Sequence, residues 1–219
     1  IPGFPVRFLE ENKMKLYNED CLPAMLKMED NQFDLAIVDP PYGLPKSSTQ
    51  GRGKLKNRII NNDPIHRWDY PPEKEYFKEL FRVSKNQIIC GGNYFDLPPT
   101  RGFVVWDKKQ PFPNFSRCEY LWMSFQVVSK IFELDNRTKG KIHPTEKPIK
   151  LYEWLLMNYA NEGDKILDTH LGSGSIAIAC DKMGFDLTGY ELDKDYYDGA
   201  VKRLSNHQKQ QKLFTGEIK

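Results

Sequence analysis

The tetrad Asp39-Pro40-Pro41-Tyr42 sets a carboxylate, two conformationally fixed residues and a phenol side by side. It follows directly on the apolar run Phe33-Asp34-Leu35-Ala36-Ile37-Val38 and stops it, because proline cannot donate to a β-ladder and restricts the residue before it. An amino group conjugated into an aromatic ring is a poor nucleophile. The Asp39 carboxylate and the Pro40 carbonyl could accept its two N–H bonds, drawing the nitrogen toward tetrahedral geometry as it attacks an electrophilic methyl carbon. Pro41 helps hold these acceptors rigid, and Tyr42 adds a flat face on which a planar heterocycle can stack. By itself the tetrad is also compatible with an ordinary turn at a strand end.

A second constellation is Asp168-Thr169-His170-Leu171-Gly172-Ser173-Gly174-Ser175, an acidic residue at a strand end followed by a glycine turn into a helix. Glycine lets the backbone turn tightly and approach a ligand closely. Glu191 stands seventeen residues after Gly174, at the end of the next strand, where a carboxylate can accept bonds from both hydroxyls of a ribose. A dinucleotide site would ask for a third glycine. Ile176 and Ala177 follow Gly174 instead, which favours a nucleoside without pyrophosphate over NAD. S-adenosylmethionine is such a nucleoside, with S-adenosylhomocysteine as its product, and the chemistry calls for no metal.

The elements that must position these groups can be read from periodicity. Strands are predicted at 15–17, 33–38, 87–90, 103–106, 120–128, 165–167 and 187–190, with 130–134 extending the fifth. Helices are predicted at 22–28, 73–83, 149–159, 175–183 and 195–204. This alternation predicts an α/β fold of Rossmann-like type, a mostly parallel twisted sheet with helices on both faces and an antiparallel edge. Ligands should then sit at the carboxyl ends of the strands. Residues 1–13 show no periodicity and read as an N-terminal arm, disordered or foreign to the fold, so that 14–219 form a single domain.

With 219 residues, 39% hydrophobic and 28% charged, the chain can bury a real core, and disorder is excluded. No apolar run approaches the roughly 20 residues of a membrane span, and the expected location is the cytoplasm. Cys21, Cys90, Cys118 and Cys180 are too far apart for a zinc motif and read as reduced thiols. A net charge of +2 names no polyanion, but residues 43–62 carry Lys46, Arg52, Lys54, Lys56 and Arg58 with no acid among them. A flexible basic loop over 43–70 could hold a phosphate backbone.

Taken together, the chain resembles the amino-methylating DNA methyltransferases, specifically the circularly permuted beta class, in which the DPPY segment precedes the cofactor-binding segment. Here the order is Asp39–Tyr42, then His143-Pro144-Thr145-Glu146-Lys147-Pro148, then Asp168–Ser175. The resemblance runs from about residue 15 to about 204. It implies that His143, Thr145 and Lys147 serve the methionine end of S-adenosylmethionine, and that Asn18-Glu19-Asp20-Cys21-Leu22 brings Asp20, beside Cys21, to the adenine ring. His170, Leu171, Gly172, Ser173 and Gly174 would form the glycine loop, with Glu191 and Leu192 at the ribose and Asp39 bordering the cofactor. One departure is that the family's D-x-F-x-G-x-G aromatic is replaced here by His170 or Leu171.

The resemblance makes double-stranded DNA the partner, with the target base flipped out of the helix. It also implies a small target-recognition region at about 106–140, where Lys108, Lys109 and Arg117 are candidate DNA contacts. A region this short suggests either a brief recognition site or a homodimer that shares recognition, and a cognate restriction endonuclease is a further partner left open. Aspartate at the first catalytic position resembles enzymes acting on adenine N6. Methylation of cytosine N4 is the alternative, and a non-catalytic nucleic-acid-binding subunit with the same fold is a third reading.

Overall fold

The computed structural model describes residues 13–43, 70–111, 116–135 and 146–215. Within them the chain runs β1 (Met14–Tyr17), α1 (Cys21–Met25), β2 (Phe33–Val38), α2 (Lys74–Val83), β3 (Ser84–Cys90), a 3-10 turn (Gly92–Tyr94), β4 (Phe103–Asp107), β5 (Cys118–Met123) and β6 (Lys130–Glu133). It continues through α3 (Ile149–Tyr159), β7 (Lys165–Asp168), α4 (Ser175–Met183), β8 (Asp186–Tyr190) and α5 (Lys194–Thr215).

The eight strands form one sheet in the order β1-β8-β7-β2-β3-β5-β4-β6. Neighbours from β1 to β3 are parallel, β5 is antiparallel to both β3 and β4, and β6 is parallel to β4. The fold is thus the expected mostly parallel α/β sheet, with one refinement. The reversed strand β5 lies inside the sheet, and the outermost strand on that side is β6. Residues 130–134 do not extend the fifth strand, which stops at Met123; Lys130–Glu133 forms a strand of its own that pairs in parallel with β4 instead.

Alternation along the strands feeds two cores. Leu35, Ile37, Ile88, Cys90, Ile166 and Leu187 face one side with α3, α4 and α5, while Ala36, Val38, Ile89, Leu167 and Tyr190 face the other with α1 and α2. Burial on both faces is why these strands read as apolar runs. Asp34, the polar exception in β2, sits at the opposite end from the site, where it receives the Lys165 N–H at 2.9 Å and pairs with Lys85 at 2.7 Å. On α2, Tyr76, Leu80 and Val83 are buried at helical spacing, and Arg82 turns back to donate to the carbonyls of Met25 and Met28 at the end of short α1. α5 runs past its last predicted apolar turn, and Gln208 there reaches Asp181 on α4 at 3.0 Å.

All four cysteines are free, three of them buried and Cys118 exposed. Among the described residues no helix is long and apolar enough to cross a membrane.

Candidate active site

Five parallel strands bring their carboxyl ends to one rim, delivering Asn18 after β1, Glu191 after β8, Asp168 on β7, Asp39 after β2 and Gly91 after β3. Because β5 runs the other way, it is its beginning, with Glu119, that reaches the same rim. There the protein forms an open-mouthed cavity of about 820 Å³ whose walls include Asp20, Cys21, Asp39 to Tyr42, Lys147, His170 to Ser173, Glu191 and Leu192. That size suits a nucleoside carrying an amino-acid tail.

On one wall the tetrad is tightly held. The Tyr42 hydroxyl lies 2.8 Å from Asp39 Oδ1 and 2.9 Å from Glu119 Oε1, and Lys147 Nζ donates to Asp39 Oδ2, to Glu119 Oε1 at 2.9 Å and to the Tyr42 oxygen at 3.2 Å. Lys108 closes the row, 2.8 Å from Glu119 Oε2. Burial raises the Asp39 carboxyl above the usual carboxylate range, with the nearby charge of Glu119 adding to the effect and Lys147 opposing it. Burial would raise Glu119 too, but two ammonium groups outweigh it and hold that carboxyl down at about 2. Asp39, Cys90 and Glu119 offer three ligand atoms within 4.8 Å of one another, yet the cation bonded between the two carboxylates is the protein's own Lys147.

The Tyr42 ring is stacked on Tyr94, centroids 4.7 Å apart at 18°, and borders Gly91, so one of its faces is already covered. Gly91 is required here: its φ is +65°, and a Cβ would stand 2.4 Å from the Tyr42 ring.

On the opposite wall, Glu191 is aimed by backbone donors, receiving Gly172 N–H on Oε2 at 2.8 Å and Asp193 N–H on Oε1 at 2.9 Å. Each carboxylate oxygen keeps a second lone pair, so a ribose diol fits this donor set. Asn18 ties β1 to β8 through the carbonyls of Glu191 and Leu192. Asp20 caps α1, accepting Leu22 N–H at 2.9 Å, with the buried Cys21 beside it. Asp168 is buried, accepts His170 N–H at 3.0 Å, and is pushed up to about 8, by burial first and then by Asp39 and Glu191. His170 is half-buried, edge-on to Tyr76, with Nδ1 2.9 Å from the Thr169 hydroxyl, and desolvation lowers it to about 4. It is therefore a neutral ring at neutral pH, occupying the place where the resemblance expects an aromatic. Arg203 of α5 clamps the glycine turn, donating to Ser173 O, Ser173 Oγ and Ser175 Oγ at 3.0–3.1 Å and pairing with Glu146 at 3.0 Å.

Comparison with known proteins accords with this geometry. A family model described as DNA methylase, the N6/N4 type, matches residues 105–202, the stretch that holds Lys147, the glycine turn and Glu191. Type II methyltransferase M2.DpnII of Streptococcus pneumoniae is 24% identical, over 90% of this chain and 91% of its own length. Type II methyltransferase M.HpaI of Haemophilus parainfluenzae is 25% identical, over 88% of this chain and 74% of its own. Over these spans the chain is similar to the DNA methylases. The crystal structure of M1.HpyAVI with SAM superposes with a TM-score of 0.57 at 18% identity, covering 87% of this chain and all of that one. The cytosine-N4-specific PvuII DNA methyltransferase gives 0.59 at 12% identity, covering 96% and 98%. The fold they share with this chain is the Rossmann-like methyltransferase fold.

Of the residues singled out by sequence, Asp39, Pro40, Pro41, Tyr42, Asp20, Cys21, Lys147, His170, Leu171, Gly172, Ser173, Glu191 and Leu192 line one cavity, with Asp168 behind them and Gly174 at the N-cap of α4. Lys108 and Lys109 are paired with carboxylates, the latter with Asp107 at 3.2 Å and Glu133 at 2.7 Å, whereas Arg117 is exposed. Lys46, Arg52, Lys54, Lys56, Arg58, His143 and Thr145 lie outside the described residues. Sequence reading missed Glu119, Tyr94 and Arg203; the acid interrupting the apolar run of β5 was the available signal for the first.

Proposed function

We propose that this chain transfers the methyl group of S-adenosylmethionine to the exocyclic N6 amino group of adenine in duplex DNA, as a permuted enzyme of the DPPY-first kind. The observation that carries the reading is the Asp39 carboxylate, held by Tyr42 and Lys147 on the wall of the cavity that also contains the glycine turn and Glu191. The cofactor, when bound, supplies an electrophilic methyl on a sulfonium. Glu191 and Asp20 are placed to receive its nucleoside end, and Lys147, besides tethering Asp39, borders the methionine end. Asp39, each oxygen anchored through one lone pair, keeps the other lone pairs for a base N–H, and the Pro40 carbonyl takes the second N–H. Because burial raises Asp39, its carboxylate can also take the proton that the methylated nitrogen releases. Arg117, exposed within a recognition region at about 106–140, would face the DNA, which the protein would meet in the cytoplasm.

Incubating unmethylated genomic DNA with the protein and methyl-labelled cofactor, followed by nucleoside analysis, tests the proposal. Label in N6-methyladenine is expected. Label in N4-methylcytosine would replace adenine by the alternative base, and absence of transfer with intact cofactor binding would overturn the enzymatic reading.

A further inference from the structure

Glu119 belongs to no motif and does not line the cavity, yet it touches two of the groups that do. It lies opposite Trp106 in the β4–β5 register, with its side chain only 12% exposed, and Lys108 anchors its outer oxygen at 2.8 Å. Its inner oxygen receives Lys147 at 2.9 Å and lies 2.9 Å from the Tyr42 hydroxyl. The three protons of Lys147 are thus all accounted for, by Asp39, Glu119 and the Tyr42 oxygen, and the Tyr42 proton has only the two carboxylates to choose between. Charge balances as well, with Asp39 and Glu119 set against Lys147 and Lys108. Removing Glu119 would leave an ammonium proton unpaired in a nearly dry site and a surplus positive charge beside Asp39.

We infer that Glu119 is a positioning residue for methyl transfer, holding Lys147 and Tyr42 from behind so that both oxygens of Asp39 are fixed toward the cavity. The inference rests on the proposed function for its kinetic consequence but not for its structural one. The titratable groups facing Asp39 are Lys147, Tyr42, Glu119, Cys90, Asp168, Tyr76 and Tyr152, and among them the carboxylate of Glu119 favours the protonated form of Asp39.

The test compares wild type with Glu119→Gln, which keeps size and an acceptor but not charge, and with Glu119→Asp. For Glu119→Gln, kcat for methyl transfer should fall by about tenfold or more while the cofactor Kd stays within about twofold. The acidic limb of its kcat profile should move to lower pH, because Lys147 is left to Asp39 alone. Glu119→Asp should recover part of kcat and return the limb toward its wild-type position. In carbon-13 spectra, the Asp39 carboxyl signal, assigned by its loss in Asp39→Asn, should titrate at lower pH in Glu119→Gln. That readout needs no turnover, so absence of transfer by the wild type would sink the proposed function and leave this inference standing or falling on the titration. An unshifted Asp39 titration overturns the inference. So does joint loss of cofactor binding and thermal stability, which would make Glu119 a purely structural residue.

Discussion

At the scale of single residues, burial decides how the site responds to pH. Asp168 is raised to about 8, so in the free protein it is largely protonated at neutral pH. A cationic ligand at the rim stabilises the ionised form, so affinity for the sulfonium cofactor is expected to rise from pH 6 toward pH 8 and to level off above. The gain is at most tenfold, about 1.4 kcal/mol, per pH unit. Calorimetric titration in two buffers of different ionisation enthalpy should register proton release below pH 8, and pH-independent affinity would contradict the assignment. The sign for the fold is the reverse. An acid with a raised pKa binds more protons folded than unfolded, so its contribution to stability is lost as pH climbs through about 8. Asp39, Asp168 and Glu191 were legible in the sequence because each stands where an apolar run ends, Asp39 directly before proline and Asp168 just ahead of the glycine turn. Glu119 was not, since it meets Tyr42 across 77 positions of chain and Lys147 from the irregular segment ahead of α3.

Among the elements, the turn after β3 shows how backbone shape protects a side chain. Gly91 and Gly163 both have left-handed φ, +65° and +86°, but only the first has a neighbour within 4 Å, the Tyr42 ring. Gly163→Ala should cost only backbone strain, on the order of 1 kcal/mol, measurable as a small drop in Tm with activity unchanged. Gly91→Ala carries the same strain and also displaces Tyr42 from Asp39, so kcat should fall by about tenfold or more while cofactor Kd is kept. Equal kinetics in the two variants would show that the contact does not matter. The parallel strands and their helices were readable from sequence because burial on two faces and the 3.6-residue repeat are local signals. The separation of β5 from β6 was not, because register depends on partners: β6 pairs with β4, from which it is distant in sequence.

For the whole molecule, the site depends on segments that only the tertiary fold brings together. Arg203, on α5, binds the glycine turn and Glu146 at once, linking that turn to the segment that carries Lys147. Arg203→Ala should weaken cofactor binding several-fold and lower Tm by a few degrees, and Arg203→Lys should recover little of either, because an ammonium cannot reproduce the fork of bonds. Binding isotherms and thermal melts of the two variants check this, and wild-type affinity in both would remove Arg203 from the cofactor site. The overall architecture was legible because strand and helix alternate along the chain, while the clamp was invisible until α5 lay against the glycine turn. The reversed direction of β5 has one more consequence. The chain leaves β4 at Lys108 and comes back at Arg117, where the Lys108 N–H meets the Arg117 carbonyl at 2.9 Å. Departure and return thus share one doorway beside the wall that carries Asp39 and Glu119. Loop closure grows costlier only slowly with length. Segments of very different size can therefore be spliced in at that doorway without altering the sheet beneath; under the proposed function, that would let sequence preference diversify while the site stays put.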